Sequence, residues 1–299
     1  MKRNARDLIN MMAAAVVVLA ALLLAFGVHA CRSTEEAREK RARTLRGNTP
    51  ETETHTLTVG VVSPLPLPSA ASPLSAERLA QVQSSLSVLA PTLDGAEPVF
   101  SASPGLWVSP AVLSPLGELA AAFHRVRPTE TLYVTAAFRA DAASPFATGY
   151  AVSLAVRRPN GKDAGSGTNG KSAAGTAADV PAGVASLADL PDAAASLAAL
   201  RARYGFIAVS ESGADLCYVG YPHATLMQER HLTPSQYLTY LSLFSQAEPL
   251  TAAAFGNTYR LFYLPAEEGR ASLTLPRDTP FSACPVGAAG FLIVLPGDA

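Results

Sequence analysis

The sequence is short of charge. Charged residues make up 16% of its 299 positions, and lysine supplies only four of the 23 basic ones; soluble domains usually carry about a quarter. An unfolded polyelectrolyte is nevertheless excluded, because 49% of the chain is hydrophobic. Cysteine is scarce as well. Cys31, Cys217 and Cys284 are too few for a disulfide framework. Several catalytic signatures are missing: no His-Glu-x-x-His occurs, and the five histidines (29, 55, 124, 223, 231) show no metal spacing. Neither S-x-x-K nor the G-x-S-x-G elbow is present. A basic domain for nucleic acid is lacking too. Residues 1–46 hold nine Lys/Arg against four Asp/Glu, which leaves 14 against 20 in the remainder.

What is present begins with one apolar run. Lys2, Arg3 and Arg6 precede Met11–Val28, and no charge falls between Asp7 and Arg32. As a helix the run would be about 27 Å long, close to the hydrocarbon thickness of a bilayer. Its basic flank predicts an inside N-terminus and export of the residues C-terminal to it. Three fates stay open: a permanent anchor, cleavage after Ala30, or lipid on Cys31, since Val28-His29-Ala30-Cys31 resembles a bacterial lipobox. Each places the working part outside the cytoplasm; the expected location is the cell membrane, as a single-pass protein with an extracytoplasmic C-terminal domain or as a lipoprotein at Cys31. There Cys217 and Cys284 either pair or stay as free thiols, and both alternatives remain open.

The rest divides by composition. Residues 1–30 form the signal or anchor helix and 31–75 a charged, then Pro/Ser-rich linker. Helices are predicted over 76–89, 110–126, 187–204 (with Pro191 in its first turns), 222–230 and 234–246. Strands are predicted over 131–138, 150–157, 206–210 and 215–220. The tail offers three more, YRLFYL, ASLTL and GFLIVL. Helices and strands without strict alternation predict an α+β fold: a domain over 76–247 with a small antiparallel sheet flanked by helices, and a small β subdomain over 248–299.

One motif is refused. Gly165 to Ser172 matches G-x-x-x-x-G-K-S, whose chemistry needs a strand before it, a helix after it and a magnesium partner. Residues 159–183 are instead Gly/Ser/Ala-rich and supply none of these. A flexible loop is predicted there.

The stretch CYVGYPHATLMQERHLTPSQYLTYL (217–241) resembles part of the VanY-type D-alanyl-D-alanine carboxypeptidases, through Tyr218-Val219-Gly220, His223-Ala224, Met227, Leu232-Thr233 and Tyr237-Leu238. VTAAFR (134–139), SPFATGYAVSL (144–154) and RYGFIAV (203–209) resemble further motifs of that family in the same order. TYRLFYLPAE and AAGFLIVL resemble a small β-domain appended to some clostridial members. The resemblance implies a zinc peptidase fold acting on peptidoglycan stem peptides. On it, the zinc ligands fall on Phe146, Ser153 and Asp215, and the general base on Ser212, with Glu211 one place off. Phenylalanine cannot ligate zinc, and serine is a poor neutral ligand. The expectation is therefore a degenerate member with no catalytic residues, no metal ligands and no cofactor. Arg139 and Ser144 match substrate-holding positions and are the candidate binding residues, because a guanidinium fork suits a terminal carboxylate. His223 reads as a structural hydrogen-bonder and His124 as a surface residue. The expected partners are the membrane and a peptidoglycan stem peptide or a cell-envelope protein. Two rivals stay open: an active D-alanyl-D-alanine carboxypeptidase with atypical ligands, and an envelope or sporulation module that uses the fold only for protein contacts.

Overall fold

A computed structural model describes residues 51–58, 65, 67–68, 72–90, 93–94, 97–98, 100–158, 183–254, 256–286 and 289–297. The N-terminal apolar run, Cys31 and the phosphate-loop look-alike lie outside them. Among the described residues no helix is long and apolar enough to cross a membrane. The chain divides into two compact units, residues 1–53 with 274–278, and residues 54–273 with 279–299. In the first, Arg277 donates through its backbone N–H to the Glu51 carbonyl (2.7 Å) and through Nη1 to the Glu51 carboxylate (2.7 Å).

The described residues of the second unit include five helices, and their ends follow local chemistry. Helix α1, Ala76–Ser85, is capped by Ser75, whose hydroxyl accepts the Arg78 N–H. It stops short of residue 89 because Ser87–Val88 pairs with Trp107–Val108 instead. Helix α2, Pro110–Val126, begins with proline at its first position, where the missing N–H costs nothing. Helix α3, Pro191–Arg201, also starts at its proline, so Pro191 begins the helix rather than lying inside it. Short 3-10 turns, Leu187–Asp189 and Ala202–Tyr204, flank α3 and replace the single long helix expected. Helix α4 is His223–Glu229. Helix α5, Pro234–Leu241, opens with a full capping box between Thr233 and Gln236.

The central sheet has six strands: β1 Phe100–Ala102, β2 Thr131–Ala136, β3 Ala151–Arg157, β4 Val184–Ser186, β5 Phe206–Ala208 and β6 Asp215–Tyr218. Their order is β5-β6-β3-β2-β1, with β4 beside the far end of β3. The antiparallel expectation fails at one edge, where β1 runs parallel to β2. A second sheet contains β7 Leu250–Ala254, β8 Asn257–Pro265, β9 Ser282–Val286 and β10 Gly290–Pro296, in the order β7-β8-β10-β9. Arg270–Pro276, expected in the C-terminal subdomain, is a strand but stands outside this sheet.

Alternation along β3 separates the two faces of the central sheet. Val152, Leu154 and Val156 point to one side and pack with Phe100, Leu132, Phe206 and Leu216 against Leu116, Leu119 and Phe123 of α2. Ala151 and Ser153 point to the other. There Ala151 and Cys217 join Phe146, Met227 and Tyr237 in a second core, which also takes Leu261, Leu292 and Val294 from the C-terminal sheet. That sheet therefore shares its core with α4 and α5. At the end of β3, the buried Glu130 carboxylate binds Arg127 and Arg158, the latter at 2.7 Å. The Arg127 hydrogen bond, joined by that from Arg158, holds the Glu130 carboxyl below the usual range against the opposing cost of burial.

Candidate functional site

Of the candidate residues, Phe146, Ser153 and Asp215 belong to the second face. Strand β2 carries a bulge near its end: Val134 pairs with Leu154 and Ala136 with Ser153, leaving Thr135 as the extra residue. The Thr135 hydroxyl donates to the Ser153 carbonyl at 3.3 Å. Past the strand, Arg139 is exposed, and its guanidinium carbon lies 4.5 Å from the centre of the Phe146 ring. That distance is a cation–π contact. Phe146 itself is only 5% exposed and belongs to the second core.

Ser144 shapes the turn that presents Phe146. It caps the 3-10 helix Pro145–Thr148, its hydroxyl accepting the Phe146 N–H (3.3 Å) while its own N–H donates to the Asp141 carbonyl (2.9 Å). Gly149 ends the turn at φ +75°, and a Cβ there would stand 2.6 Å from Leu86 Cδ2. The turn therefore requires glycine.

Ser153 and Asp215 meet across strands β3 and β6 as register partners, and the Ser153 hydroxyl donates to Asp215 Oδ1. The Asp215 N–H donates to Ser210 Oγ (3.1 Å). Ser212 accepts the Ala214 N–H (3.3 Å) and so builds the turn between β5 and β6, while Glu211 is exposed. Among the described residues neither Arg139 nor Asp215 forms an ion pair.

His223 lies beneath this region, 5% exposed, with Nδ1 2.6 Å from the Tyr237 hydroxyl. Burial pushes its imidazole down to about 4 and pushes the Tyr237 hydroxyl up. At neutral pH the pair is therefore uncharged, and ring nitrogen and phenol share one hydrogen bond. His124 is half-buried rather than on the surface, its Nδ1 3.1 Å from the Glu130 carbonyl. Cys217 is a free thiol and so does not pair with Cys284, and burial pushes it up to about 12.

No family model matches the chain, and no curated protein matches it by sequence. Among solved structures, it is similar to the vancomycin-resistance D,D-dipeptidase VanXYg in complex with a D-Ala-D-Ala phosphinate analogue, at a TM-score of 0.58 and 15% identity. The match covers 83% of this chain and all of that one. The likeness is one of fold.

Zinc, which the resemblance of the sequence implies, is tested by the donors at its positions. A zinc site needs three ligands from His, Cys or carboxylate. Phe146 offers none and is capped by the Arg139 guanidinium; Ser153 and Asp215 are engaged with each other. Among the described residues no three His, Cys, Asp or Glu stand close enough to hold a metal ion. These residues do not fit the ion. Sequence reasoning placed Arg139 and Ser144 as binding residues; Ser144 acts here on the turn, and Arg139 presents an exposed guanidinium stacked on Phe146. The Phe146 ring as a platform for Arg139 was missed, because that contact depends on how residues 140–145 fold back.

Proposed function

We propose that the chain is a membrane-tethered, extracytoplasmic D-Ala-D-Ala peptidase-like domain that holds the carboxylate end of a peptidoglycan stem peptide without cleaving it. The observation that carries this reading is Arg139: an exposed guanidinium, steadied on the Phe146 ring, without a carboxylate partner among the described residues. A fork of that kind binds a terminal carboxylate through two parallel hydrogen bonds. Ser144 serves it indirectly, by fixing the turn on which Phe146 sits. The reading of no cleavage rests on the donors. No metal-binding triad among the described residues activates a water, and Ser212 is a turn residue without basicity at neutral pH.

The test is peptide binding by calorimetry. Arg139→Ala should weaken binding of a pentapeptide ending in D-Ala-D-Ala by about 10- to 100-fold, the range of a charge-assisted bond. Arg139→Lys should recover only part of it, since an ammonium lacks the fork. Melting should hardly change, because the side chain is exposed. Unchanged affinity in Arg139→Ala, or release of D-Ala by the unmodified protein, would overturn the reading. The tether has its own check. Protease added to intact spheroplasts should digest the chain beyond residue 47, and full protection of the C-terminal domain would exclude the topology.

A further inference from the structure

Arg201 is the last residue of α3 and is half-buried, yet among the described residues its guanidinium has no hydrogen-bond or ion-pair partner. Arg127 offers the contrast, since its hydrogen bond to the Glu130 carboxylate raises its guanidinium above the ordinary value. On Arg201 burial acts alone and lowers it, with no carboxylate to oppose the effect. The group stays charged all the same, because a guanidinium keeps its proton in a protein. A half-buried cation without a counter-charge costs free energy that a bound anion recovers.

Gly213 locates that guanidinium. A Cβ built there would stand 3.4 Å from Arg201 Nη1, so the group rests against the turn between β5 and β6. The turn closes through the Gly213 N–H, which donates to the Ser210 carbonyl (3.1 Å), and Gly213 has φ +70°. It also carries an unused donor. The hydroxyls of Ser210 and Ser212 are 3.2 Å apart, Ser210 accepting the Asp215 N–H and Ser212 the Ala214 N–H. Only one of the two hydroxyl protons can lie between them, and the other has no acceptor among the described residues.

The geometry points to an oxyanion site at Arg201 and the turn 210–215, taking a singly charged carboxylate held by the guanidinium fork and a serine hydroxyl of the turn. Two parallel N–H groups match the edge of a carboxylate. Glu211 and Asp215 stand two positions to either side of Gly213, and their charge opposes a dianion about twice as strongly as a monoanion. The inference does not depend on the Arg139 reading.

The probes are acetate, acetamide, dimethyl phosphate and inorganic phosphate, added to the isotope-labelled full chain in detergent at neutral pH and low ionic strength. The readout is the backbone amide resonance of Gly213, against which the guanidinium lies. Acetate should shift it saturably, and acetamide, which has the shape without the charge, should not. Both phosphates should bind more weakly than acetate. Arg201→Ala should weaken acetate binding about tenfold, and Arg201→Lys should restore only part of it. No saturable shift with acetate, an equal one with acetamide, or undiminished binding in Arg201→Ala would overturn the site and leave Arg201 as a packing residue of α3. Tighter binding of either phosphate would overturn the carboxylate assignment. The probe series uses the unmodified protein, so a folding defect in Arg201→Ala cannot obscure the result.

Discussion

Lowering the pH from 7 to 4 should cost the fold on the order of 3 kcal/mol through His223 alone. The imidazole is buried beside Tyr237 and pushed down to about 4, whereas in the unfolded chain it titrates near its ordinary 6.5. Between those values the unfolded state binds a proton that the folded state refuses. The contribution is therefore fully present above pH 6.5 and is lost progressively as the pH falls toward 4. A difference of about 2.5 units at roughly 1.36 kcal/mol each gives the magnitude. Glu130 also titrates differently in the two states, but its carboxyl lies below the usual range and acts only at lower pH. The window from about 6.5 to 5 thus belongs to His223. Urea denaturation across that window should show stability falling as the pH drops, and His223→Gln should flatten the slope whatever it does to stability itself. An equal slope in both proteins would show that His223 does not titrate differently on folding.

Phe146→Ala should destabilise the domain by about 3–5 kcal/mol, the range for removing a buried aromatic side chain. The ring is 5% exposed, in a core with Ala151, Cys217, Met227 and Tyr237. Peptide binding should fall as well, because the Arg139 guanidinium loses the surface on which it rests. Phe146→Leu separates the two effects. It keeps most of the burial but removes the aromatic face, so stability should change by less than about 1.5 kcal/mol while peptide affinity still drops. A stability change below about 1 kcal/mol in Phe146→Ala would show that the ring is not a core residue. Full peptide affinity in the leucine variant would show that the stacked geometry does not matter.

The elements legible in the sequence are those that announce themselves locally. Pro110 at the first position and an apolar face through Val112, Leu116, Leu119 and Phe123 mark α2 to its ends. Alternation marks β3 and most of β2. The strands that sequence reasoning misses depend on distant partners. Phe100–Ala102 is three residues long and exists by pairing in parallel with Leu132–Val134. Leu250–Ala254 is alanine-rich, which favours helix locally, and becomes a strand by alternating buried and exposed positions against β8. Ser282–Val286 contains Pro285, which a strand tolerates at the edge of a sheet. The site divides in the same way. Arg139 is legible as a residue type just past a strand, and at the positions that the resemblance assigns to zinc the sequence shows Phe146 and Ser153 as side chains that suit the ion poorly. The contact of Arg139 with Phe146 and the opposition of Ser153 and Asp215 arise only when separate segments are brought together, the latter across 62 positions.

The shared second core also sets an order of events during synthesis. Strand β3 lies at the middle of its sheet, yet its partner β6 is made only after residues 183–208. The core on the Phe146 side waits longer still, because Leu292 and Val294 come from β10, the last strand among the described residues. A chain emerging from the ribosome N-terminus first therefore leaves Phe146, Ala151 and Cys217 without their full cover until residue 294 has appeared. That face acquires its packing in stages, first from α4 and α5 and last from β10, and part of its apolar surface stays exposed throughout translation of residues 147–294.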